Sequence, residues 1–260
     1  FYGPPGAGKT HLLGTTCLVP EMGDVLYADV EAGDQTLEQW EDEPTLDIIR
    51  IANHGGLSDL HKFLASHCRG RERGASDSDM DKLAAQYGLP PGKRYKTVCV
   101  DTLTEANANI MYQVLGITLT EDAAPDLDAE IEPAQFQDWG RGSEMTRLTV
   151  RAFRNLPIHV LIACGAAMRD DFRKKNIISP DLPGKLSRAV QGFVDVVGYL
   201  AVGTVETKEV HRLTLRGSDS LDAKSRLQTL REPYLDNPTM ETIYAKLQGK
   251  GTVNGQQGKG

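Results

Sequence analysis

The sequence has 260 residues, 40% of them apolar and 25% charged, with 29 Lys and Arg against 36 Asp and Glu for a formal net charge of −7. That composition describes one soluble globular domain with chain enough for a sizeable core, and it excludes a surface that coats nucleic acid wholesale while leaving room for a local basic loop. The longest apolar stretches, 158–168 and 189–205, are too short for a bilayer or broken by Gln191 and Asp195, so no membrane span is expected.

Residues 3–10 read Gly3-Pro4-Pro5-Gly6-Ala7-Gly8-Lys9-Thr10, the pattern G-x-x-x-x-G-K-[ST]. Glycines let a backbone curl until successive N–H groups point into one concavity, and a helix starting near Lys9 adds its positive end. The segment is expected to cradle the phosphates of ATP, with Gly3, Pro4, Pro5, Gly6, Ala7, Gly8, Lys9, Thr10 and His11 as the contact set. Lys9 would reach the β- and γ-phosphates, and the Thr10 hydroxyl would ligate Mg²⁺. A strand normally feeds such a loop and only Phe1 and Tyr2 precede it, so the sequence is read as part of a longer protein.

Beyond the loop, β-branched apolar runs recur at 25–28, 47–51, 95–100, 159–164, 194–202 and 211–215, with helix-compatible segments at 10–17, 57–68 and 145–155. Strands alternating with helices imply βαβ units, so the class is α/β: a mainly parallel sheet sandwiched by helices, with its ligand at the carboxyl ends of the strands. The first of these runs leads into Asp29-Val30-Glu31. The stretch 69–94, with charges of both signs around Gly and Pro, reads as an insertion, a solvated surface loop or helix. Next comes Tyr95-Lys96-Thr97-Val98-Cys99-Val100-Asp101-Thr102, a buried strand ending in an acid. A carboxylate there can hold Mg²⁺ through water, because Mg²⁺ keeps several of its waters. Asp101 is therefore a metal-side ligand together with Thr10 and Asp29, unless it merely caps the following helix.

A second insertion, 117–138, holds seven acidic residues and no basic one. The connection 168–192 is the most basic long one, with six Lys and Arg against three Asp. Its Arg169, Arg173, Lys174, Lys175, Lys185 and Arg188 would track a phosphate backbone with salt-sensitive affinity, although Phe172 is its only stacking aromatic. Residues 1–248 form the expected domain, and 249–260 are too polar to bury anything and are expected to be disordered. Cys17, Cys68, Cys99 and Cys164 lack metal-ligand spacing, which suits a reducing cytoplasm.

Residues 3–10, Asp29-Val30-Glu31, 98–102 and Ala223-Lys224-Ser225-Arg226 together resemble the RecA-like ATPases. More narrowly they resemble phage-encoded P-loop nucleotide-binding proteins related to RecA, some of which are single-strand annealing recombinases. Gln137-Asp138-Trp139-Gly140 and Pro183-Gly184-Lys185 before Val194-Asp195-Val196-Val197-Gly198-Tyr199 add to the likeness, which runs from residue 1 to about 247. It implies Mg²⁺-dependent ATP hydrolysis, single-stranded DNA as a partner, assembly of copies into a ring or filament, and a bacterial host cytoplasm. It also implies that the strand at 159–164 lies between the phosphate-loop strand and the Asp101 strand. Common AAA+ ATPases carry a catalytic Glu directly after the strand acid; here that residue is Thr102, so the base is assigned to Glu31, with Glu105 second. Lys224 and Arg226 form the Lys-x-Arg pair that such relatives present to a neighbouring subunit's nucleotide. The strand end that usually holds a polar γ-phosphate sensor offers Cys164 and Gly165 instead. Two other readings stay open. One is a small-molecule kinase with a lid built from Arg69, Arg71, Arg73 and Arg94; the other is a non-hydrolysing, nucleotide-gated interaction module.

Overall fold

The structure is a computed structural model, and it describes residues 1–117, 133–170 and 175–249. In chain order the first half runs α1 (Lys9–Gly14), β1 (Val25–Asp29), β2 (Leu46–Arg50), α2 (His54–Glu72), α3 (Asp77–Gln86), β3 (Thr97–Asp101), α4 (Leu103–Val114) and α5 (Phe136–Arg154). The second half runs β4 (His159–Ile162), β5 (Ala166–Asp170), β6 (Asn176–Pro180), α6 (Leu186–Phe193), β7 (Val196–Val197), β8 (Tyr199–Val205), β9 (Lys208–Thr214), β10 (Lys224–Ser225), β11 (Tyr234–Asp236) and α7 (Met240–Leu247).

Four parallel strands in the order β2-β1-β3-β4 make the central sheet. Beyond β4, Tyr2 forms parallel bridges to Cys164 on one side and Tyr199 on the other, so the segment feeding the phosphate loop lies between β4 and β8. The expected strand order holds: β4 stands between that segment and β3. From β8 the sheet continues through antiparallel β9 and β11.

Every residue of β1 and β3 is buried, as strands covered on both faces require. Side chains alternate across a strand, so Leu26, Ala28, Val98 and Val100 pack under α2, α4 and α5, against Leu57, Phe63, Ala106 and Phe153. Val25, Tyr27 and Cys99 turn the other way, toward Leu13, Leu37 and Trp40 beside α1. Polar residues of that same parity, Asp29 and Asp101, therefore end their strands on the α1 face.

One expectation is corrected. The stretch 168–192 is not a loop: β5 and β6 pair as an antiparallel hairpin and α6 follows it. For the first insertion, read as loop or helix, residues 69–72 complete α2 and Asp77–Gln86 form α3. Residues 136–138 are the first turn of α5, closed by a capping box between Gln135 and Asp138, while 118–132 lie outside the described residues. The tail from 250 onward also lies outside them. All four cysteines are free and buried, and among the described residues no helix is long and apolar enough to cross a membrane.

Candidate nucleotide and metal site

The loop leaves the sheet between β4 and β8, where the Tyr2 N–H donates to Gly198 O at 2.9 Å and the Gly3 N–H donates to Cys164 O at 3.2 Å. Gly3 is obligatory for space, since a Cβ there would stand 2.1 Å from the Leu200 carbonyl oxygen. Gly6 and Gly8 are obligatory for conformation, with φ of 74° and 89° in the left-handed region. Between them the Ala7 N–H closes a turn onto Pro4 O at 3.2 Å. Lys9 Nζ also donates to Pro4 O, at 3.1 Å, which folds the ammonium back over the loop.

Beneath the loop, the Thr10 hydroxyl donates to Asp101 Oδ2 at 2.6 Å, and the Tyr27 hydroxyl donates to the same oxygen at 2.7 Å. Burial, and then the Asp101 carboxylate beside it, push the Tyr27 phenol far above its usual range, so it remains a donor. Asp101 is 3% exposed, and its other oxygen, Oδ1, is buried with no hydrogen-bond partner. A buried carboxylate oxygen left unpaired is costly, and a hydrated cation beside the Thr10 hydroxyl is a chemically suitable partner. Asp29 is the register partner of Asp101 on the adjacent parallel strand and is equally buried, and its Oδ1 accepts the Gly33 N–H at 3.1 Å. The three oxygen-bearing residues expected to serve Mg²⁺ are thus brought together, and as hard oxygen donors they fit it.

The turn after β1 is held to the end of β3, because the N–H groups of Val30 and Glu31 donate to Asp101 O at 2.6 and 3.2 Å. Glu31 is exposed there. Glu105, in the first turn of α4, is half-buried, and burial followed by the charge of Glu31 raises its carboxyl pKa. Both candidate bases therefore flank the Asp101 strand end. The cap of α4 is Thr102, whose Oγ1 accepts the Glu105 N–H at 3.3 Å, so capping is not the role of Asp101.

The remaining expected residues lie apart. His11 is exposed on α1, its ring 5.1 Å from that of Trp40 rather than over the loop. Lys224 lies in β10, paired to β7 in a separate two-stranded sheet, with its pKa lowered by burial and then by Arg226. Arg226 donates to Gly192 O at 2.8 Å and lies 3.6 Å from Asp195 Oδ1. Among the described residues neither cation bonds to the loop of its own chain. In the basic connection, Arg169 meets Asp181 Oδ1 at 3.5 Å and Lys175 meets Asp219 Oδ2 at 3.2 Å. Arg169, Lys185 and Arg188 share a cavity of about 190 Å³ with Ser179 and Ser187, while Arg173 and Lys174 lie outside the described residues. The lid arginines sit at the wrong end of the sheet for a phosphate site. Arg71 donates to Tyr95 O and the Arg94 N–H to Asp24 Oδ2, at the strand starts, whereas the loop is at the strand ends.

Three residues at the site escape sequence reasoning. Tyr27 is an aromatic with a polar tip inside a strand of apolar neighbours, and that anomaly is its only signal. Thr104 supplies the hydroxyl that β4 lacks at its end, accepting the Gly165 N–H at 2.8 Å and donating to Asp181 O at 3.2 Å beside Cys164. His211 reaches the loop from β9, with its Nδ1 2.9 Å from Ala7 O, and no local pattern announces it.

Among curated proteins none matches this sequence. Of the solved structures that match, the crystal structure of the flagellar accessory protein FlaH from Methanocaldococcus jannaschii aligns with a TM-score of 0.36 at 10% identity, over 82% of this chain and 74% of that one. A family model described as AAA domain matches residues 1–227, a span that contains the phosphate loop, Asp29 and Asp101, and the chain belongs to that AAA-domain family.

Proposed function

We propose that this chain binds ATP with Mg²⁺ and hydrolyses it, acting as assembled copies on single-stranded DNA. The observation that carries the nucleotide reading is the 2.6 Å bond from Thr10 to Asp101 beside an orphaned, buried Asp101 Oδ1, set under a loop with two left-handed glycines. In this reading residues 3–10 hold the phosphates and Lys9 swings from Pro4 O to the β- and γ-oxygens. Mg²⁺, when bound, draws charge from the phosphoryl oxygens. Asp101 and Asp29 hold its water, and Tyr27 keeps the Asp101 carboxylate turned toward Thr10. Glu31, exposed at the end of β1, orients the attacking water and accepts its proton.

The DNA and assembly components draw support from the resemblance to phage recombination ATPases, whose setting is the bacterial cytoplasm. The cavity between the hairpin and α6 places Arg169, Lys185 and Arg188 together, with Asp170 and Asp222 also in its lining. Lys224 and Arg226, neither bonded to the loop of their own chain among the described residues, are assigned to a neighbouring copy's nucleotide.

ATP turnover measured across a protein-concentration series, with and without single-stranded DNA, tests all parts together. Turnover per subunit is expected to rise with both. Glu31→Gln is expected to abolish it with nucleotide binding intact, and Arg226→Ala to lower it by roughly 10³-fold or more, the scale of a lost trans cation. Turnover independent of concentration and DNA would remove the assembly and DNA components. Full turnover in Glu31→Gln would move the base to Glu105.

A further inference from the structure

The phosphate loop is braced from a distant part of the chain. His211 projects from β9, and its Nδ1 lies 2.9 Å from the Ala7 carbonyl oxygen, a link across 204 residues of sequence. A carbonyl only accepts, so Nδ1 carries the proton and donates. The ring also covers the apex of the loop, since a Cβ added at Gly8 would stand 3.0 Å from Nδ1 and 3.4 Å from Cε1.

The brace is itself held. The His211 N–H donates to Asn237 Oδ1 at 2.9 Å, and the Asn237 N–H donates back to His211 O at 2.6 Å. Asn237 adopts φ of 44°, a left-handed conformation that Asn tolerates. Three residues on, the Met240 N–H donates to Thr15 Oγ1 at 2.9 Å, pinning the start of α7 to the turn after α1. The antiparallel β8-β9-β11 sheet and the C-terminal helix thus grip the first helical segment at two points, one of them the phosphate loop.

We propose that His211 is a positioning residue for phosphate binding. In a planar trans peptide the carbonyl and the following N–H point in opposite directions. Holding the Ala7 carbonyl toward β9 therefore aims the Gly8 N–H away from β9, into the hollow of the loop. Without the brace, the Ala7-Gly8 peptide is free to rotate, because Gly8 has no side chain to restrict it. The loop then spends part of its time with that donor turned aside, and affinity falls by the fraction of competent loop.

This inference rests on the nucleotide reading above, and the test separates the two. The described chain, unsubstituted and as His211→Ala, His211→Gln and His211→Asn, is titrated with Mg²⁺-ATP by calorimetry, and each is melted without nucleotide. His211→Ala and His211→Gln are expected to bind Mg²⁺-ATP about 10-fold more weakly, which corresponds to about 1.4 kcal/mol. His211→Asn is expected to recover affinity to within about threefold, because its side-chain amide N–H starts at the same distance from the backbone as Nδ1–H. Melting temperatures without nucleotide should agree among Ala, Gln and Asn, which a role in stability alone would not produce together with selective rescue. Equal ATP affinity in all four proteins overturns the positioning role, as does a loss that Asn fails to restore. No Mg²⁺-ATP binding by the unsubstituted chain overturns the nucleotide reading and this inference with it.

Discussion

Thr10 and Asp101 are 91 residues apart in sequence and 2.6 Å apart in space, and the cost of that meeting is an unpaired Asp101 Oδ1 buried beside it. In the proposed function, that unsatisfied oxygen is what the hydrated cation would complete. His67 on α2 is a contrasting case, a buried polar group without a ligand to wait for. It is 1% exposed, packs against Phe63 and Tyr95, and its Nε2 has no hydrogen-bond partner. Burial, then the charges of Arg71 and Arg94, lower its pKa from 6.5 to about 4, against an opposing pull from Asp24. The unfolded chain therefore takes up a proton near pH 6.5 that the folded chain refuses until about pH 4. Stability is fully present above the unfolded value and is lost as pH falls through that window, at about 1.4 kcal/mol per unit. His67→Phe should flatten this limb. Urea midpoints at pH 7 and pH 5 are expected to show the parent losing on the order of 2 kcal/mol more than the variant. Parallel losses in both would rule out His67 as the acid-sensitive group.

At the scale of elements, the central strands were legible because both faces are buried and the apolar residues run without interruption. Of the helices, α1, α2 and α5 overlap the segments read as helix-compatible, and α2 shows what completes one. It opens with Gly55 and Gly56 in its first turn, poor helix formers, so its start leans on Asn53, whose Oδ1 accepts the Gly56 N–H at 3.0 Å. Asn53→Ala is expected to cost about 1 kcal/mol in urea unfolding, and Asn53→Asp to retain most of the stability. Equal stability of Asn53→Ala and the parent would show that the cap contributes nothing. The β5-β6 hairpin was not legible. Its strands are short, and their alternation is masked by Arg169, Asp170 and the run of cations that follows, so the segment reads as a solvated loop until Ala166–Asp170 and Asn176–Pro180 are seen to pair.

For the whole molecule, a phosphate loop set between β4 and β8 links the parallel half of the sheet to the antiparallel half. Ligand at the loop should therefore stabilise the entire fold rather than one corner. At one hundred times its dissociation constant, Mg²⁺-ATP is expected to add about 2.7 kcal/mol, a rise of roughly 5–10 °C in Tm for a domain of this size. Lys9→Ala should remove most of that rise while leaving the nucleotide-free melt unchanged. A rise of the same size in Lys9→Ala would place nucleotide elsewhere.

What the sequence by itself determined is local. Eight consecutive residues specify the loop, one apolar strand ending in Asp101 specifies the acid, and the alternation of strands and helices specifies the α/β class. Each of these is written in neighbours along the chain, because backbone curl, strand burial and helix periodicity are properties of short segments. Only the tertiary structure decided that Tyr27 holds Asp101, that Thr104 fills the polar gap at the end of β4, that the lid arginines lie at the far end of the sheet, and that His211 braces Ala7. Those are meetings of single side chains from segments tens to hundreds of residues apart. A lone His or Tyr has no spacing to betray it, so its partner is fixed by strand order and register, which form only when the sheet does.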